Sequence, residues 1–256
     1  MKKKSYITLA ILSPLVLLGL WIAVSHSGLV RPVILPSPQA VLSSLASMAL
    51  QGYSGVSLSE HVLASLTRVG VAFAGGSALG VAVGLLRARS SAADALLLVP
   101  GEMLRPIPPL GLIPLFILWF GIGETSKILL IGLSVFLIMM VNSQSGARSV
   151  PADLLRAAQT CGASRMQIFR HVVLPAALPQ IMTGLRVALG MALSILVASE
   201  LLGGDRGLGF VVLDAANFFR TTYVFAGVIL IGAIGLVSDR LIAWLARRIV
   251  HWEGRR

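Results

Sequence analysis

VLASLTRVGVAFAGGSALGVAVGLL, residues 62–86, decides the fold. The run carries a single charge, Arg68. A helix rises about 1.5 Å per residue, so such a run outspans the ~30 Å hydrocarbon core of a bilayer. Inside lipid every backbone N–H and C=O must be paired within the protein. The run lacks the alternation of a barrel strand, so it is read as a spanning helix. Gly76, Gly80 and Gly84 recur at every fourth position. That spacing lets another helix approach closely, either within the chain or across a dimer seam.

Five further apolar runs flank this one, at about 6–25, 92–120, 126–146, 176–202 and 222–246. Pro106, Pro108 and Pro109 break the run at 92–120. The expectation is an all-α membrane protein of six transmembrane helices, a single domain over residues 1–256. Composition agrees: 12% of residues are charged, against about 25% in soluble domains. The net charge of +11 invites a nucleic-acid reading. It is set aside because the basic residues sit in short loops between apolar runs, where they fix membrane orientation.

With the N-terminus in the cytoplasm, most of the basic residues fall inside. These are Lys2, Lys3, Lys4, Arg87, Arg89, Arg148, Arg156, Arg165, Arg170, Arg240, Arg247, Arg248, Arg255 and Arg256. Arg31, Lys127, Arg206 and Arg220 fall outside. Both termini are therefore expected in the cytoplasm. Lys2–Lys4 before an apolar run mimic a signal peptide, with a conceivable cleavage site near Ala23–Ser25. The run is long enough to span, and an uncleaved first helix is expected. In the first outer loop Pro32, Pro36 and Pro38 make an extended connector. Val41, Leu42, Leu45, Met48 and Ala49 then recur at helical spacing, predicting a short helix over 39–50 at the outer interface.

The largest cytoplasmic loop, 147–175, is long enough to have a task of its own. Asp153 is placed to accept hydrogen bonds from the N–H groups that open a helix. Gly162 suits the left-handed conformation that stops one. A second short helix follows, and Pro175 falls near the first turn of the fifth span. Ala157 and Ala158 keep one face thin enough to enter a groove. This stretch resembles the signature loop of ABC-importer permeases: Glu-Ala-Ala, three residues, Gly, nine residues, Ile, any residue, Leu-Pro. Ala157, Ala158, Gly162, Val172, Leu174 and Pro175 occupy the matching places. Arg156 stands where the family has Glu, which inverts the charge there.

The resemblance implies a type I ABC-importer permease fold, paired as a homodimer in a bacterial cytoplasmic (inner) membrane. It implies that the segment holding Asp153, Arg156, Ala157, Ala158, Gly162, Leu174 and Pro175 couples to an ATPase subunit dimer. ATP and Mg would belong to that partner, and an extracytoplasmic solute-binding protein would deliver the cargo. Arg105-Pro-Ile-Pro-Pro-Leu110 and Trp119-Phe-Gly-Ile-Gly-Glu-Thr-Ser-Lys127 are most similar to the taurine members of a taurine, alkanesulfonate and nitrate branch, and Leu35-Pro-Ser-Pro38 and Arg206-Gly-Leu-Gly209 also resemble that branch. Cyanate or a pyrimidine precursor are alternative cargoes within that class.

No stretch of the chain cradles ATP phosphates. Residues 121–127 superficially match a phosphate-binding loop, but Ser126 stands where Gly must precede the Lys. No catalytic constellation converges, and neither Cys161 nor the scattered histidines suggest a metal site. An ion-driven secondary transporter would favour inverted repeats and carboxylates within the spans, and neither stands out. The charges inside the apolar runs remain. Arg105 beside Pro106 and Pro108 lies at a broken helix, a place that normally lines a cavity. It either faces an anion's translocation path, snorkels to headgroups or pairs with Glu102. Arg186 and Glu200 flank the fifth span as further path candidates; Glu200 could instead pair with Arg206 or receive the binding protein. Arg68 could meet a lipid headgroup.

Overall fold

Long apolar runs with serine at their starts become long capped helices. In the computed structural model, which describes residues 3–200 and 203–252, Ser37, Ser57 and Ser90 each accept a backbone N–H at a helix N-terminus. The helices in order are α1 (Lys3–His26), α2 (Pro38–Gln51), α3 (Leu58–Arg89), α4 (Ser91–Leu104), α5 (Ile113–Phe120) and α6 (Glu124–Arg148). Then follow α7 (Ala152–Thr160), α8 (Arg165–Ile168), α9 (Leu174–Glu200), α10 (Leu208–Asn217) and α11 (Thr221–Ile249). The described residues contain no β-strand.

Five helical stretches are long and apolar enough to cross a membrane, and a sixth crossing arises if α4 and α5 count as one bent span. The third run breaks at its prolines, as expected. It is two helices meeting at 88°, because Pro106, Pro108 and Pro109 have no N–H to continue the ladder. The fifth span is corrected. A π turn, Phe169–Val173, joins α8 to α9, so one helical stretch runs from Arg165 to Glu200. The long loop expected at 147–175 shrinks accordingly. The expected end of the fifth span at residue 202, and Lys2, Arg255 and Arg256, lie outside the described residues.

The core sits where α3, α6 and α9 meet, around Val69, Leu130, Val135, Met139, Ala188 and Ile195. Gly80 is pressed against α6 so closely that a Cβ there would meet Met139 Cβ and Phe136 O. Gly76 and Gly84 meet α6 backbone in the same way. The four-residue glycine spacing is thus used within the chain, for the α3–α6 contact.

A second cluster gathers Val41, Met48, Tyr53, Val211, Ala215 and Ala226 from α2, α10, α11 and the turn after α2. The expected outer helix forms, but it folds against the bundle rather than merely lying on a surface. Helix α10 is a short element that sequence patterning did not anticipate. Helix α1 leans on the rest near its end: Trp21 stacks on Phe225 and donates from its indole to Pro36 O.

Candidate functional site

Three features carry chemistry, and helix geometry sets them apart. The first is the segment after α6. Pro151 occupies the N-cap of α7, and Asp153 lies in its first turn without a capping hydrogen bond. The expected capping role of Asp153 is therefore corrected. Its negative charge still sits beside the positive end of the helix dipole. At the other end Gly162 has φ +76°. Gly162 N–H donates to Gln159 O and Ala163 N–H to Ala158 O, at 2.9 and 3.1 Å. This pair of bonds is a Schellman stop, which needs the left-handed residue. Ser164 and Gln167 then form a capping box that starts α8.

The result is a rigid nine-residue helix clamped at its C-terminus. Asp153, Leu154, Arg156 and Ala157 are exposed, whereas Leu155 and Ala158 are half-buried toward the bundle. The two alanines expected on one thin face are thus split between outer and inner faces. Leu174 and Pro175 open α9, and Leu174 N–H closes the π turn onto Phe169 O. Cys161, the single cysteine, is exposed at the end of α7.

The second feature is the break between α4 and α5. Arg105, Pro106 and Pro108 are exposed there. Arg105 donates to Glu102 at 3.1 Å. With Ile107 and Pro109 it borders a cavity of about 290 Å³ whose far walls are Ser134 and Asn142 of α6 and Val187 and Met191 of α9. Arg186, one residue from that wall, turns to α11 and forms a two-point bond with Asp239, at 2.7 and 3.0 Å. Asp239 is a carboxylate within a spanning helix, so the expectation that the spans lack one is corrected. Its signal was present in the sequence, as an acid inside an apolar run.

The third feature is a buried ion cluster at the start of α3. The Glu200 carboxylate has no exposed surface. It accepts from Arg68 Nη1 at 2.6 Å, Ser65 Oγ at 2.8 Å and Gly209 N–H at 2.7 Å. Arg68 also binds Glu124 through two nitrogens and donates to Arg206 O at 2.8 Å. His61 accepts the Gly207 N–H at 3.1 Å. Gly207 has φ +125°, and a Cβ there would run into the Glu200 carboxylate. The Gly-Leu-Gly stretch is thus a cradle for Glu200. Two sequence expectations are corrected: Arg68 pairs with carboxylates rather than a headgroup, and Glu200 pairs with Arg68 rather than Arg206. Closed in this way, Glu200 has no surface on which to touch cargo in this conformation.

A smaller ion cluster mirrors this one at the far end of α3. Asp94 accepts from Arg87, Gln144 and Arg148, at 3.1, 2.7 and 2.7 Å. Arg68 and Arg87 stand ~29 Å apart along α3 by helical rise. The two clusters therefore bracket the thickness of a hydrocarbon core.

Residues 76–251 match the family described as binding-protein-dependent transport system inner membrane component. The taurine transport system permease protein TauC of Escherichia coli is 43% identical over 97% of this chain and 90% of its own length. SsuC of Bacillus subtilis, named for transport of aliphatic sulfonates, is 36% identical over 95% of this chain and 87% of its own length. An inward-facing structure of the MetNI methionine ABC transporter matches with a TM-score of 0.61 at 22% identity, over 76% of this chain and 94% of that one. That last likeness speaks for the fold alone.

Proposed function

The chain belongs to the family of binding-protein-dependent transport system inner membrane components, and we propose that two copies of it form the membrane path of an ATP-driven importer for a small organic sulfonate such as taurine. It is a multi-pass permease subunit of an ABC importer and not an enzyme. In this reading both termini face the cytoplasm, and an extracytoplasmic binding protein delivers the anion to the opposite side. ATP and Mg belong to a pair of partner ATPase subunits. Closure of that pair moves α7 and, through the continuous stretch from Arg165 to Glu200, reorients the bundle. Affinity for the anion then falls as access opens inward, and the state each ligand prefers supplies the bias.

The observation that carries the coupling role is α7 itself: a short helix fixed by its Schellman stop, with Leu154 46% exposed and Ala157 beside it. The 43% identity to a taurine permease supports the cargo class. Within the path, the cavity by the α4–α5 break supports a role for Arg105, Pro106 and Pro108, with Arg105 offering the one guanidinium in its lining. Arg186 borders the same region through its neighbour Val187. Glu200 supports the path from behind, by holding Arg68.

The test is reconstitution of the chain with its ATPase and binding-protein partners in vesicles. ATP-dependent accumulation of labelled taurine is expected, with nitrate carried at least tenfold more slowly. Taurine uptake without ATP, or ATP-driven nitrate uptake with none of taurine, would refute the reading. Arg105→Ala should lower uptake and Arg105→Lys restore part of it. Unchanged uptake in both removes Arg105 from the path.

A further inference from the structure

A cavity of about 510 Å³ lies between the inner face of α7 and the ends of α3 and α6. Arg89 is the last residue of α3, Arg148 the last of α6 and Arg165 the first of α8, and all three line it. Leu85, Leu155, Ile168, Phe169 and Val173 supply an apolar wall, and no acidic residue lines the space. Arg148 is already held from outside by Asp94 at 2.7 Å. Arg89 lies over the Phe169 ring, 5.6 Å from its centroid. Among the described residues no carboxylate pairs with Arg89 or Arg165. Three arginines thus line one space, with a single carboxylate paired among them.

Such an excess of positive charge favours an anion, and guanidiniums favour multi-oxygen anions through charge-assisted bonds. The apolar wall beside them favours an anion that carries a hydrocarbon portion. Helix ends also mark the level of the headgroups in a bilayer.

We propose that this cavity binds a phosphate group, held by Arg89 and Arg165 with Gln159 as a further donor. The occupant ties the inner face of α7 to the ends of α3 and α6. It thereby sets the position from which the segment moves. The proposal depends on the importer reading only for the side of the membrane on which the cavity opens. The phosphate has two sources, an anionic phospholipid headgroup or a free phosphate, and the test separates them.

The purified full chain in neutral detergent is titrated with dihexanoyl phosphatidylglycerol, dihexanoyl phosphatidylcholine or inorganic phosphate, and its thermal unfolding midpoint is followed. Phosphatidylglycerol should raise the midpoint saturably, and phosphatidylcholine should not. Arg89→Gln with Arg165→Gln should weaken the apparent affinity about tenfold or more, the loss of two charge-assisted contacts. Arg89→Lys with Arg165→Lys should retain part of it. Arg247→Gln with Arg248→Gln, which removes the same charge elsewhere, should behave as wild type. If inorganic phosphate alone gives the same variant-sensitive shift, the site stands and its source is soluble. If neither phosphate species shifts the midpoint, or all variants shift alike, the site is refuted. The readout needs neither ATPase nor sidedness, so that failure leaves the import reading untouched, and failed ATPase assembly leaves the site untouched.

Discussion

Replacing Arg68 by Met probes the buried cluster most directly. Glu200 has no exposed surface, and among the described residues Arg68 Nη1 at 2.6 Å is its only charged donor; Ser65 Oγ and Gly209 N–H are neutral. The substitution leaves an ionised carboxylate buried with two neutral donors. Breaking a buried pair by removing one partner costs about 3–5 kcal/mol. The freed Glu124 is 57% exposed and still faces Lys127, so its share is below ~1 kcal/mol. Arg68→Met should therefore lower the unfolding free energy by about 3–5 kcal/mol. Replacing both residues, Arg68→Met with Glu200→Met, removes the uncompensated charge. What remains is the cost of Ser65 and Gly209 N–H left without an acceptor, ~1–3 kcal/mol each. The double variant should lose less stability than the sum of the two single variants, with a coupling energy of ~2 kcal/mol or more. Reversible unfolding in mixed micelles, followed by circular dichroism, measures all three. Strictly additive singles, or Arg68→Met within ~1 kcal/mol of wild type, would refute the cluster's role.

Gly162→Pro should abolish co-purification with the ATPase while leaving the helical content of the bundle intact, because proline cannot adopt φ +76°. Ala157→Glu should weaken the same capture from the exposed face, whereas Ala158→Glu, aimed at the bundle, should instead lower the unfolding midpoint. Cys161 should react with a membrane-impermeant maleimide in inside-out vesicles and not in right-side-out ones; the opposite pattern overturns the orientation. Gly80→Leu should lose ~3 kcal/mol or more by forcing α3 away from Met139 and Phe136. Wild-type stability in that variant would show that the close α3–α6 approach is not needed.

What the sequence could reveal follows from the range of each signal. Apolar length is local, so the spans at 62–86 and 126–146 come out within a few residues of α3 and α6. Conformational demands at one residue are local too, and the stop at Gly162 is legible for that reason. The misread elements are those settled by a neighbour. Asp153 looks like a cap because its type suits one, but the turn from α6 places Pro151 at that position. Helix α2 looks interfacial because its partners on α10 and α11 lie more than 150 residues away.

Buried charges are the extreme case. Arg68 inside one apolar run and Glu200 near the end of another look like isolated liabilities, since nothing along the chain announces that Arg68 pairs with residues 56 and 132 positions away. Yet the liability itself carries information. An unpaired charge in hydrocarbon costs ~3 kcal/mol or more, so several such charges of opposite sign at similar depths imply mutual neutralisation before they imply cargo. Depth can be counted from the helix ends. By that count Arg68 and Glu124 lie near the starts of α3 and α6, and Glu200 closes α9. Helices that cross alternately bring those three positions to one face of the membrane. Pairing by depth, rather than by spacing along the chain, is the reading these residues required, and it leaves Arg105 as the guanidinium whose partner, Glu102, is too exposed to neutralise it fully.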